Sequence, residues 1–228
     1  MRPRLIVLRP EPGNRATCDR IVAAGGVAVA MPLFATGPLA WHAPNAGDFD
    51  ALLLTSANAV RHAGPALAEF HHLPVVAVGA ATARAATAAG LSVAATGDGD
   101  AGAAALLLER MGAGRMLHLC GREHRSLAGV CSIPVYASDP IDPPMPGVLA
   151  GATALIHSPR AGARLAALVD AAGIDRARVA VAAISRAALT AAGDGWRCAT
   201  AIDRPDDNAL IRAALSIDPD DGGRDKTA

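Results

Sequence analysis

The chain states one pattern twice, about 100 residues apart, and this doubling limits its possible folds more than any other feature. Residues 52–60 read LLLTSANAV and residues 154–162 read ALIHSPRAG, in each case an apolar run ending in a Ser. RAATAAG at 84–90 is answered by RAALTAAG at 186–193, each following a Val/Ala-rich run. Asp100, Leu106 and Leu107 open one Ala/Leu-rich segment; Asp207, Leu210 and Ile211 open another. The separations are 102 (Ser56 to Ser158), 103 (Gly90 to Gly193) and 104 (Leu106 to Leu210). One match in an Ala-rich chain carries nothing. Three in the same order, with offsets drifting one residue at a time, imply two related βα arrays. Two similar lobes imply a cleft between them, which is where ligands sit.

The elements between these landmarks alternate. Short aliphatic runs read as buried strands: 5–10, 27–34, 49–56, 74–79, 91–96, 115–120, 132–138, 152–158, 179–185 and 196–202. Helices are expected over 14–24, 57–69, 80–89, 101–111, 159 onward, 186–192 and 206–215, and around 122–128. Ser158-Pro159 is a strong helix start, Ser as N-cap and Pro at the first helical position. Strands alternating with helices of this length predict parallel sheets. Two Gly/Pro-rich stretches, ATGPLAWHAPNAGDF (35–49) and DPIDPPMPG (139–147), read as crossings between lobes. After the second crossing only three strands remain, so the N-terminal strand–helix–strand should complete that lobe. The expected architecture is α/β: two similar, doubly wound parallel-sheet lobes with two adjacent crossings between them. One lobe is discontinuous (1–36 and 140–228, with a disordered tail over 217–228) and the other inserted (39–134).

Composition narrows the function. With 228 residues, two domains of about 100 residues fit comfortably. Lys+Arg and Asp+Glu are 21 each, so no net charge points to nucleic acid or an anionic membrane. Lys226 is the sole lysine, which rules out Schiff-base chemistry on a buried Lys and a phosphate-loop lysine. Nearly every fixed cation is therefore Arg, the better fork for carboxylates. Cys18, Cys120, Cys131 and Cys198 show no metal-ligand spacing and read as free thiols in a reducing cytoplasm. Neither a signal peptide nor a continuous apolar span is expected.

The ordered set of LLLTSANAV, PVVAVGAATARAATAAGL with Thr82, RMLHLCGREHR, the VY of VYAS, ALIHSPRAG, VAVAAISRAAL and RPDDNALI resembles the uroporphyrinogen-III synthase family. The resemblance runs through nearly the whole chain, to about residue 216. It implies two α/β lobes joined by a two-stranded linker, with the substrate between them, and a lyase reaction without metal or organic cofactor. The implied substrate is hydroxymethylbilane, a linear tetrapyrrole with eight carboxylates. Loss of its hydroxyl as water gives an azafulvene, the far ring attacks through its substituted carbon, and fragmentation and reclosure of the spiro intermediate leave that ring inverted. A cytoplasmic monomer acting on a small molecule is expected.

Because the substrate also closes unaided to the unflipped isomer, such a protein must chiefly orient and stabilise. Eight carboxylates need donors, and strand ends leading into helices supply unpaired amides. The binding candidates are Thr55, Ser56, Asn58, Gly79, Thr82, Cys120, Gly121, Arg122, Ser158, Arg160 and Ser185. Ser56 and Ser158 are N-caps on any reading, and Asn58 suits a solvated first turn. Tyr136, the sole tyrosine, matches a Tyr that the family implicates in proton transfer, and a phenol can protonate a leaving hydroxyl. His118 and His157 fall on strands, where a hydrogen-bonded structural role is expected. The second lobe departs from the pattern: AISRAA stands where VGAATARAA stands in the first, with Ser185 in place of the Gly and Thr, and Arg186 adds a cation.

GDGDAG at 97–102 matches G-x-G-x-x-G, with Glu123 about 20 residues on. Asp98 and Asp100 would set carboxylates against a pyrophosphate, and the preceding strand is not the first of its lobe, so a dinucleotide site is disfavoured. The other alternative is a cytoplasmic two-lobed protein that binds a small ligand without catalysis.

Overall fold

The structure is a computed structural model that describes residues 3–97, 112, 114–143 and 146–218. The chain divides into two units, Met1–Ala35 with Pro140–Ala228, and Thr36–Asp139.

The first unit is built on β1 (Arg4–Val7), β2 (Val27–Ala30), β9 (Thr153–Ile156), β10 (Ala180–Ala183) and β11 (Cys198–Ala201). They form one parallel sheet in the order β11-β10-β9-β1-β2. The aliphatic runs are continuous because both faces are covered. Leu5, Val7, Leu155, Ala180 and Ala182 meet α1 (Gly13–Ala23) and α6 (Asp207–Leu215) through Ile21, Leu210, Ile211 and Ala214. Ile6, Leu8, Ala154, Ile156, Val181 and Ala183 meet α4 (Pro159–Ala171) and α5 (Arg186–Ala192) through Leu165, Val169, Ala188 and Ala192. The period-2 split of LIVL into Leu5/Val7 and Ile6/Leu8 is thus the two-sided wrapping read residue by residue. Small side chains bring α4 and α5 very close: a methyl on Gly162 would lie 2.5 Å from the Ala188 carbonyl oxygen.

The second unit carries β3 (Phe34–Pro38), β4 (Ala51–Leu54), β5 (Val75–Val78), β6 (Val93–Gly97), β7 (Met116–Gly121) and β8 (Val130–Pro140), in the order β3-β8-β7-β4-β5-β6. β4 to β8 are parallel. One face packs Leu52, Leu54, Val75, Leu117, Leu119 and Val135 on α2 (Ala57–His62), α3 (Ala80–Ala88) and the intervening loop. The other carries a smaller core of Ala51, Leu53, Val76 and Met116. The crossings are not irregular: β3 and β8 pair with opposite direction, Leu39 N–H donating to Val135 C=O (2.9 Å) and Ile141 N–H to Leu33 C=O (3.0 Å).

Several expected boundaries change. The helix over 57–69 stops at His62. Gly64 takes φ +71, which a side-chain-bearing residue resists, and Pro65 starts a separate 3-10 turn, Pro65–Phe70. No helix forms over 122–128. Its only large apolar residue is Leu127, and the His124 ring nitrogen Nδ1 lies 3.1 Å from the Gly121 carbonyl, which a helix would use itself. Ile217, assigned to the tail by sequence, is instead buried under α6. The expected helix over 101–111, the Gly-rich loop beyond Gly97 and residues 219–228 lie outside the described residues. Among the described residues, no helix is long and apolar enough to cross a membrane.

Candidate active site

In an open parallel sheet, ligands meet the C-terminal strand edge where the strand order reverses. In the second unit that point lies between β4 and β7, since β4 leads to β5 and β6 on one side and β7 to β8 on the other. The chain places Thr55 and Ser56 at the end of β4, and Cys120, Gly121 and Arg122 at the end of β7. Ser56 caps α2, its Oγ accepting from the Asn58 amide (3.1 Å), while Asn58 Oδ1 accepts from Arg61 (2.9 Å). A hydroxyl that accepts an amide proton can still donate its own. Tyr136 sits beside this edge: it is the register partner of Gly121, and its carbonyl accepts from the Arg122 amide (2.8 Å).

Gly121 has a geometric reason to be glycine. A Cβ there would lie 2.9 Å from Tyr136 Cζ and 3.0 Å from its hydroxyl. The phenol therefore lies against the strand end, with the His62 ring stacked beside it at 6.1 Å between centroids. Burial, then the Arg61 charge, lower the His62 pKa, which favours a neutral ring next to Tyr136. Cys120 is fully buried, and burial pushes its thiol up to about 11, so it behaves as a small apolar side chain. The Arg122 guanidinium already faces two carboxylates, Asp139 and Glu123.

One strand over, Gly79 follows β5 with φ +84 and ψ 151, a backbone conformation suited to Gly alone, and no side chain caps α3. Its carbonyl accepts from the Thr82 and Ala83 amides, both at 3.1 Å, leaving Ala80 and Ala81 as the leading N–H groups of the helix. Thr82 is buried in that first turn.

In the first unit the reversal lies between β1 and β9. Ser158 caps α4 at Ala161 N (3.2 Å), and Ser185 caps α5 at Ala188 N (3.2 Å). Ser185 thus fills, with an extended backbone and a side-chain cap, the role that an uncapped Gly79 holds in the other unit. The Arg160 guanidinium lies over the Phe34 ring at 4.6 Å.

A cluster at the same edge was not anticipated from sequence. Asp207, at the start of α6, accepts from Thr17 Oγ1 (2.9 Å), Arg20 Nη1 (2.7 Å) and His157 Nε2 (2.8 Å), with Arg9 Nη1 at 3.7 Å. Burial alone would raise its pKa; the hydrogen bonds from His157, Thr17 and Arg20 outweigh that and hold it at about 2. The ionised carboxylate can only accept, so His157 carries its proton on Nε2. Its Nδ1 is buried without a partner among the described residues. The available signals were an Arg two residues beyond β1 and a His directly before an N-cap. Their partner lies 50 residues past His157, beyond local pattern reading. Among the described residues, no three His, Cys, Asp or Glu side chains are grouped to hold a metal ion.

Comparison with known proteins agrees with this architecture. A search of curated proteins finds no significant match. The solved structure of uroporphyrinogen-III synthetase from Helicobacter pylori is similar at 17% identity and TM-score 0.65, covering 95% of this chain and 99% of the other. A mutant uroporphyrinogen III synthase from the extremely thermophilic bacterium Thermus thermophilus is similar at 20% identity and TM-score 0.53, covering 92% and 96%. At such identities the likeness establishes the fold, while the sequence model described as uroporphyrinogen-III synthase HemD matches residues 16–212. The chain belongs to the uroporphyrinogen-III synthase family.

Proposed function

We propose that this protein closes hydroxymethylbilane to uroporphyrinogen III, inverting the terminal ring and releasing water without a cofactor. The observation that carries the reading is the family match spanning residues 16–212. The strand edges support it chemically: each unit presents helix N-termini at the C-terminal edge of its parallel sheet, next to hydroxyl side chains. An octacarboxylate needs many such weak, fixed donors rather than one strong cation.

In this reading, amides at the starts of α2 and α3, with Thr55, Ser56 and Thr82, hold carboxylates on the second unit. Amides at the starts of α4 and α5, with Ser158 and Ser185, do so on the first. Asn58, Gly79, Cys120, Gly121, Arg122 and Arg160 complete the proposed lining, Cys120 and Gly121 through the strand end and not through side chains. Holding both ends of the linear substrate converts ring closure into a step between prepositioned groups. Tyr136 donates its proton to the departing hydroxyl, so that water leaves; the far ring then attacks the azafulvene methylene through its own substituted carbon, and fragmentation and reclosure of the spiro intermediate invert that ring. The pyrrole proton lost on rearomatisation balances the one that Tyr136 gave.

The direct experiment supplies fresh hydroxymethylbilane, oxidises the products and measures type III against type I porphyrin. Predominantly type III product is expected; type I alone would overturn the reading. For Tyr136→Phe, turnover is expected to fall several-fold with the melting temperature kept, and an unchanged rate would remove the phenol from the chemistry.

A further inference from the structure

His118 is the one histidine among the described residues that lies fully inside a core, 2% exposed, yet both its ring nitrogens are engaged by hydroxyls. It stands on β7 between two neighbours, β4 and β8. Nε2 lies 2.9 Å from Thr55 Oγ1 and Nδ1 lies 3.2 Å from Ser132 Oγ. The registers Leu53↔His118 and His118↔Ser132 put the three side chains on one sheet face, continuing the row of Ala51, Leu53 and Met116. A hydrophobic residue would fill that row more cheaply, since a buried polar ring must keep both partners. The chain keeps the His and supplies both.

We propose that His118 is a positioning residue that sets the direction of the Thr55 hydroxyl, through a chain running Ser132–His118–Thr55. This rests on the reading in which Thr55 holds a substrate carboxylate. A carboxylate only accepts, so Thr55 must point its O–H at the substrate. Its oxygen is then left to accept, and the donor in place is His118 Nε2–H. The neutral ring must in that case carry its lone pair on Nδ1, which accepts from Ser132 O–H. All three polarities follow from the charge of the ligand. Burial, helped by the nearby His124 ring (6.0 Å between centroids), pushes the His118 pKa down to about 4, so the ring stays neutral and the chain keeps one proton per link near neutral pH. The groups facing it are thus Thr55, Ser132 and His124.

The test combines a double-mutant cycle with a spectroscopic readout. Thr55→Val should raise KM for hydroxymethylbilane about tenfold with kcat less affected, as expected for one hydrogen bond to a charged group. His118→Leu should do the same. His118→Gln, which keeps a side-chain N–H donor, should recover most of the loss. In the Thr55→Val background, His118→Leu should add little further. Ser132→Ala, a milder change should His118→Leu fold poorly, should raise KM several-fold although Ser132 lies one strand further from β4.

With ¹⁵N-labelled histidine and His118→Gln as the assignment control, anaerobic uroporphyrinogen III should bring His118 to a single Nε2–H tautomer. Additive effects of Thr55→Val and His118→Leu, an unaltered KM in Thr55→Val, or a His118 that carries its proton on Nδ1 with product bound would each overturn the proposal. The wild-type type III to type I ratio is measured in the same assay. Its loss would instead remove the functional reading itself.

Discussion

Replacing Asp207 by Asn should loosen the discontinuous unit where its two chain segments are tied. The wild-type carboxylate accepts from Thr17 and Arg20 on α1 and from His157 at the end of β9, and its side chain is only 17% exposed. An amide of the same shape keeps one accepting oxygen and turns an NH₂ toward groups that also donate. The wild-type Asp207 pKa lies near 2 against an ordinary 3.8, and this difference corresponds to about 2 kcal/mol of folded-state stabilisation of the ionised form. Loss of a carboxylate from the first turn of α6 removes roughly a further 0.3–1 kcal/mol. At about 2–4 °C per kcal/mol for a protein of this size, the melting temperature should fall by roughly 5–12 °C at pH 7. The sign with pH follows. A depressed carboxylate pKa contributes fully above the unfolded value, near pH 4, and loses that contribution as pH falls through about 2. Thermal melts of wild type and Asp207→Asn should therefore be well separated at pH 7 and converge between pH 4 and 2. A difference below 2 °C at pH 7, or curves that stay parallel down to pH 2, would refute the reasoning.

Other outcomes follow from the same geometry. Gly121→Ala should displace the Tyr136 ring, since the new methyl would lie 2.9 Å from Cζ; turnover should drop at least as far as in Tyr136→Phe, with a stability cost of about 1–3 kcal/mol by urea titration. Gly162→Ala should destabilise by a similar amount, although Ala favours helix by about 1 kcal/mol, because the methyl meets the Ala188 carbonyl at 2.5 Å and the Ala192 amide at 3.1 Å, both backbone. A gain in melting temperature would show that α4 and α5 separate freely. Because the folded pKa of His118 is depressed to about 4, wild type should lose stability as pH falls from about 6.5 to 4. His118→Gln should be flatter over that window, which melts at half-unit pH steps would show.

Much of the architecture was legible because it is periodic and local. LIVL, LLLT and ALIH are short, uninterrupted and aliphatic, as strands buried on both faces must be. Ser158-Pro159 announces a helix start in two residues, and Ser158 does cap α4. Local reading failed where backbone chemistry competed with composition. The apolar content of 57–69 suits a helix, but Gly64-Pro65 breaks it. The Pro-rich crossings do not announce a strand pair locally, yet β3 pairs with β8 about 100 residues away, the two-stranded pairing that the family resemblance implied. Thr55, Ser56, Gly121, Arg122 and Tyr136 could be proposed from motif order. That Gly121 makes room for the Tyr136 ring could not, because the strand register decides it.

The sequence by itself therefore determined the α/β class, the doubled βα pattern and membership of a family, all of which depend on residue types at short range and in order. The tertiary structure alone decided which polar groups meet. Asp207 reaches Thr17 and His157 across 190 and 50 residues, and His118 joins Thr55 and Ser132 across three strands. Hydrogen bonds act over about 3 Å, and no pattern along a chain states which distant residues will come that close.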